Sequence, residues 1–347
     1  MVFRVLFCKL IVLIITSTLI TGCNDLAAKA VTDDSRLPSD NTSTPTNTSN
    51  PENIPAPTEI PGLGRSDVRM FIFGHSLIVH EATPEPTEEK KVPHWMGQLS
   101  AAAGNNYNVD GQYGFVPSHA DFSQLGPQWG FDQVSGIWAN ENTPFSQIDY
   151  NVIMMTPANF IQYQPPSANY FGDTQSPIDA TLSLFDQNRA AHPNIPFYIY
   201  ENWPDMGTYG AFPGGVDIAQ YHNDTIEGGF HQWFLQYHNA LLAARSGSNI
   251  KMIPTGPVIS KLLRDTELSN IPLTVLYEDD APHGQPTLYF LASLVTYMAI
   301  YQTPAPANFQ IPNTVSPIVR DNYAMVVAFI WNELQNFNDE NGNSRVF

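Results

Sequence analysis

From residue 65 onward the chain alternates short apolar runs with long amphipathic ones, and this alternation constrains its fold more than any other feature. The runs 68–73 (VRMFIF), 150–155 (YNVIMM), 196–200 (PFYIY) and 250–253 (IKMI) have the length of buried strands, and Gly74 stops the first. The stretches between them have helical periodicity. In 94–103 Trp95, Met96 and Leu99 share a face, and in 230–244 Phe230, Trp233, Phe234, Tyr237 and Leu241 are in register. Residues 178–191, 286–301 and 319–334 are further helices. Strands apolar on both faces, separated by long helices, predict a parallel sheet covered on each side. The expected fold is a single three-layer α/β/α domain with a mostly parallel central sheet. Residues 110–145 and 202–224, rich in Gly, Pro, Asn and aromatics, break the pattern and read as loop insertions.

The N-terminus is different in kind. Residues 1–22 carry Arg4 and Lys9, then a long apolar run, and no acid, which is the anatomy of an export signal. Ile20-Thr21-Gly22-Cys23 resembles a bacterial lipobox, which implies that Cys23 becomes the lipidated first residue of the mature protein. An ordinary secretory peptide or a retained membrane anchor would share the apolar run; small residues and a cysteine coinciding at the cleavage point favour lipidation. Asn24 after the cysteine favours the outer membrane by the same resemblance. Residues 23–62, with prolines at 38, 45, 51, 55, 57 and 61 among Ser, Thr and Asn, read as a disordered tether with a reach of about 30 Å. Residues 63–347 form the globular domain. Cys8, the second of two cysteines, leaves with the signal, so no internal disulfide is available to the domain.

The whole chain has 15 Lys+Arg against 33 Asp+Glu, a net charge of −18, and losing Arg4 and Lys9 takes the mature form to about −20. Such a chain is unsuited to nucleic acid and disfavours polyanionic substrates. Its 43% hydrophobic content is far above that of a disordered chain.

Two segments carry candidate chemistry. Gly74-His75-Ser76-Leu77 places a serine at the rim of the sheet just after the first strand, where its hydroxyl and amide can face a pocket; a helix-capping serine would look the same. Tyr277-Glu278-Asp279-Asp280-Ala281-Pro282-His283-Gly284 precedes the 286–301 helix. In Asp280-x-x-His283 a carboxylate can accept from imidazole Nδ1–H and leave Nε2 as a base, although a turn-forming Asp and a buried polar His fit the same letters.

Together, the Gly74-His75-Ser76-Leu77 strand end and the Asp280-x-x-His283 turn resemble the SGNH or GDSL hydrolase superfamily across most of the domain. The resemblance implies a flavodoxin-like fold and a Ser-His-Asp esterase, with Ser76 as nucleophile, His283 as general base and Asp280 as its orienting partner. It also implies an oxyanion hole from the Ser76 N–H, a glycine N–H, with Gly114 preferred and Gly111 close behind, and the Asn159 side chain. Two departures stand out. His75 replaces the family's usual Asp and reads as structural, while Pro157 and Phe160 flank Asn159 where a Gly and an Asp are usual.

Trp129, Trp138 and Trp203, in or beside the two insertions, are candidates for stacking on sugar rings, with packing under long loops as the alternative. His119 and Asp121, and His222, His231 and His238, lack the spacing of a metal site, and no cofactor is expected. The expected activity is that of an exported, lipid-anchored serine esterase, with removal of O-acetyl groups from a polysaccharide or glycan as the expected reaction. A lipase, arylesterase or thioesterase of the same fold, and a non-catalytic glycan-binding lipoprotein, are the competing readings.

Overall fold

In the computed structural model, five strands pair in one wholly parallel sheet: β1 (Asp67–Gly74), β2 (Asn106–Tyr113), β3 (Val152–Met155), β4 (Phe197–Tyr200) and β5 (Ile250–Ile253). Their order is β2-β1-β3-β4-β5. The structure describes residues 64–80, 87–121, 134–140, 142–157, 164–170 and 172–347. The tether, Cys23, Trp129 and Asn159 lie outside them.

Strand alternation sorts the core into two layers. Met70 and Ile72 of β1, Val152 and Met154 of β3, and Tyr198 and Tyr200 of β4 join one buried cluster. Their neighbours Phe71, Phe73, Ile153, Met155, Phe197 and Ile199 join another on the opposite face. A period of two with both faces buried is why these runs read as continuous apolar stretches. The first face is covered by α1 (Val92–Ala102), α6 (Thr255–Asp265), α8 (Pro286–Tyr301) and α10 (Tyr323–Asn336), the second by α3 (Pro177–Ala191) and α5 (Gly229–Ala244). The three-layer α/β/α expectation therefore holds. Residues 287–301 of α8 are all buried, as suits a helix that is apolar all round. Among the described residues no helix is long and apolar enough to cross a membrane.

The expected 319–334 helix is two helices, α9 (Pro317–Asp321) and α10, meeting at Asn322. The Asn322 side chain donates to the Ile318 carbonyl at 2.8 Å, competing with the backbone there. β2 begins ahead of the stretch read as the first insertion and takes up its first four residues; its sequence NYNVDGQY is too polar to announce a strand, and it occupies the sheet edge. α2 (Val116–Asp121) follows it, and α4 (Ile218–Ile226) begins inside the second stretch.

In this strand order the connections diverge between β1 and β3, which opens a crevice at the carboxyl ends of those strands. Ser76 lies two residues beyond the end of β1.

Candidate active site

The segment after β1 turns sharply, because both Ile78 N–H and Val79 N–H donate to the His75 carbonyl, at 2.9 and 3.2 Å. Ser76 sits at the top of that turn. Its carbonyl accepts from Tyr289 Oη on α8 at 2.6 Å, which fixes the backbone at Ser76. Among the described residues its N–H has no acceptor.

His283 comes from the loop between α7 (Leu273–Leu276) and α8, whose two arms are bridged at Tyr277 and Gly284. Glu278 N–H donates to the His283 carbonyl at 2.7 Å, and Gln285 N–H to the Leu276 carbonyl at 2.8 Å. Gly284 is needed where it is: a Cβ there would lie 2.8 Å from the Tyr289 ring. From this loop His283 Nε2 reaches Ser76 Oγ at 2.9 Å, closing a contact between positions 207 residues apart.

The carboxylate on the other side of the imidazole is Asp279, correcting the expectation of Asp280. Asp279 Oδ2 lies 2.7 Å from His283 Nδ1, while its Oδ1 accepts from Ala281 N–H at 3.1 Å and His283 N–H at 3.0 Å. The side chain folds back over its own turn, so the i,i+4 residue faces the ring. Asp280 occupies the outer corner, exposed, and contributes its carbonyl to Met206 N–H at 2.9 Å. Burial pushes the Asp279 carboxyl up, but the bonds from the His283 side chain and backbone outweigh it, and Asp279 stays below its ordinary range.

Gly114 also departs from expectation. Its N–H donates to the Gly74 carbonyl at 2.8 Å, adding a rung to the β1–β2 ladder, so it is committed away from any oxyanion. Gly111 is opposite Ile72 inside the ladder. The Ser76 N–H is thus the one expected backbone donor that the described residues leave available.

None of the described tryptophans is placed to stack on a sugar. Trp203 is 2% exposed, packs against Tyr289 and donates from Nε1 to the Pro282 carbonyl at 2.9 Å, which ties the His283 loop to the end of β4. Trp138 packs against Phe71 and Phe145 under the opposite face and donates to the Asn140 carbonyl at 3.0 Å. In both cases the indole N–H is satisfied by a neighbouring backbone carbonyl, so packing won over exposure. Among the described residues, the exposed aromatics beside the site are Tyr113 at the end of β2 and Phe115 just beyond it, with 47% and 38% exposure. Tyr113 pairs in register with Gly74, and the Phe115 ring lies 5.2 Å from that of His75.

His75 is buried under the turn. Its Nδ1 accepts from Leu77 N–H at 3.4 Å. Burial, reinforced by His119 and His283, pushes it down to about 3, so the ring stays neutral beside Ser76. Among the described residues, no group of three or more His, Cys, Asp or Glu could hold a metal ion. His119 contacts the Gly114 carbonyl at 3.0 Å, His231 pairs with the buried Glu201 at 2.7 Å, and His238 meets Arg345 at 2.8 Å.

No protein-family model matches the chain, and no curated protein matches its sequence. Solved structures give distant likenesses. A mutant of Axe2, an acetyl-xylooligosaccharide esterase from Geobacillus Stearmophilus, is 10% identical, with 73% of this chain and 99% of that chain covered and a TM-score of 0.38. A carbohydrate esterase family 2 enzyme with a carbohydrate-binding domain, from Corynascus thermopiles (Myceliophthora fergusii), is 14% identical, with 72% and 67% covered and a TM-score of 0.32. What the site can do chemically follows from its own atoms.

Those atoms form a line. Asp279 holds the imidazole with hydrogen on Nδ1, which directs the Nε2 lone pair at the Ser76 hydroxyl. The turn after β1 and the loop before α8 meet through Tyr289, so Ser76 and His283 are both held beside one helix. An approaching carbonyl would find the Ser76 N–H, to which no described residue is bonded, on the same residue as the Oγ that faces His283.

Proposed function

We propose that the protein hydrolyses carboxylic esters through Ser76, His283 and Asp279. The observation that carries this is the continuous chain of contacts from Asp279 through His283 to Ser76, at 2.7 and 2.9 Å. His283 takes the Ser76 proton as the oxygen attacks the ester carbonyl, then gives it to the departing alcohol, leaving an acyl-serine. Water attacks that acyl-serine by the same route, releasing the acid. The Ser76 N–H stabilises the oxyanion in both steps, with Asn159 as the proposed side-chain donor.

The proposed substrate is an O-acylated glycan. Supporting it are Tyr113 and Phe115, two partly exposed aromatic residues beside the Ser76 turn, and the net charge of −18, which suits a neutral polymer. The proposed setting is the bacterial cell envelope, in the outer membrane, with the domain carried on lipidated Cys23; labelling with a palmitate analogue, lost in Cys23→Ser, tests this. The activity is tested with p-nitrophenyl acetate and with acetate release from acetylated polysaccharides, comparing the wild type with Ser76→Ala. Equal rates in the two proteins would remove Ser76 as nucleophile, and no hydrolysis of any ester would remove the enzyme.

A further inference from the structure

His80 lies against the face of His283, with ring centroids 4.1 Å apart and planes 8° from parallel. It belongs to the turn after β1 and is held from outside the active site. Val79 forms an antiparallel bridge with Lys91, His80 N–H donates to the Lys90 carbonyl at 3.2 Å, and Val92 N–H donates to the Ile78 carbonyl at 2.8 Å. Glu278 flanks the pair from the His283 loop, where it takes Lys90 Nζ at 2.5 Å. His80 Nε2 comes within 3.3 Å of the same carboxylate, off the angle of a hydrogen bond.

The groups facing His80, among the described residues, are His283, Glu278 and Asp279 from the loop before α8 and Lys90 from the turn Glu88–Lys90. Burial and the proximity of His283 lower its affinity for a proton, Glu278 and Asp279 raise it, and Lys90 lowers it; the outcome is below the ordinary histidine value. Lys90 partly neutralises Glu278, which would otherwise draw a proton onto His80.

We infer that His80 is a positioning residue for the general base, a neutral ring stacked on His283 that holds the imidazole toward Ser76 and accommodates the positive charge it acquires in the transition state. The inference rests on His283 being the base. A neutral aromatic face at 4.1 Å receives an imidazolium favourably, whereas a cation there repels it. Because His80 and His283 are in contact, a positive charge on one opposes a positive charge on the other. Asp279 beside Nδ1 supplies the counter-charge when His283 becomes an imidazolium.

The test uses the full chain and four proteins: wild type, H80A, H80F and H80K. It combines the pH dependence of kcat and KM on p-nitrophenyl acetate with the NMR titration of the His283 ring. H80A should lose about 10-fold in kcat with KM nearly unchanged, because the base is no longer held, and H80F, which restores a neutral ring, should recover to within about 3-fold of wild type. H80K should move the acid limb and the His283 titration down together by about one pH unit or more. An H80F loss as large as that of H80A, or an unshifted His283 titration in H80K, would overturn the inference. An inert wild type whose His283 titration still shifts in H80K would retain the coupling and remove the esterase reading.

Discussion

Asp279→Asn and Asp280→Asn differ by one position in the chain and should differ by orders of magnitude in rate. Asp279 Oδ2 accepts from His283 Nδ1–H at 2.7 Å, and Oδ1 accepts two backbone N–H groups at 3.0 and 3.1 Å. Asparagine can keep Oδ1 in the backbone bonds and must then present its NH2 to Nδ1. A donor facing Nδ1 favours the tautomer with hydrogen on Nε2, which points a proton, not a lone pair, at Ser76 Oγ. The same substitution in the serine-protease triad costs about 10⁴ in kcat, or about 5.4 kcal/mol at 1.36 per decade. Here the Asp279 side chain is 40% exposed, so water can relieve part of the mismatch, and the expected loss is about 10²–10⁴-fold. Asp280→Asn, at the exposed outer corner, should stay within about 2-fold. The assay is kcat/KM on p-nitrophenyl acetate for the three proteins, with thermal unfolding confirming that each is folded. A loss in Asp280→Asn equal to or above that in Asp279→Asn would refute the assignment, and so would an Asp279→Asn protein within about 3-fold of wild type.

Gly284→Ala puts a methyl group 2.8 Å from the buried Tyr289 ring, so the loop must shift; kcat should fall about 10-fold or more and stability by about 1–3 kcal/mol, measured by chemical denaturation. Trp203→Phe removes the bond to the Pro282 carbonyl and leaves that acceptor buried, for an expected loss of about 1–3 kcal/mol in the same measurement, with no specific loss of glycan substrate if Trp203 is structural. Acid should destabilise the fold through histidines buried neutral: burial lowers His75 to about 3 and His119, His222 and His238 to about 4. Once unfolded they bind protons below about 6.5, so each contributes stability that is complete above that pH and falls by up to about 1.4 kcal/mol per pH unit until its folded value is reached. The urea midpoint should therefore drop between pH 7 and 5, and a flat midpoint would contradict the assignment.

The sheet was legible where burial dictated composition. β1, β3, β4 and β5 are apolar on both faces because helices cover both, and they show in the sequence within two residues of their ends. β2 is at the edge, and its Asn106, Asn108, Asp110 and Gln112 give no apolar run. Its identity as a strand depends on the partner β1, which no local reading supplies. Asp110 shows the same dependence: it is buried and accepts from Ile137 and Trp138 N–H and from Tyr150 Oη, and all three donors lie more than 25 residues further on. The break at Asn322 was hidden for the opposite reason, since a single side chain competing with its own backbone does not disturb the hydrophobic period.

The serine and the histidine were legible because strand ends and helix starts place them, and these are features of the fold as a whole. The choice between Asp279 and Asp280 was not, because it turns on which carboxylate folds back across a six-residue turn closed by Glu278 N–H and the His283 carbonyl. Spacing alone admits either. The same physics explains the tryptophans: an indole at the end of a strand can serve the surface or fasten a loop, and Pro282, with a carbonyl to offer and no N–H of its own, gave Trp203 a partner inside. The loop that carries His283 is thus held within itself at Asp279 and from the end of β4 by Trp203, while Tyr289 of the following helix fastens the Ser76 turn and His80 stacks on the imidazole. With Asp279 on Nδ1 and His80 on its face, the imidazole is oriented so that Nε2 points at Ser76.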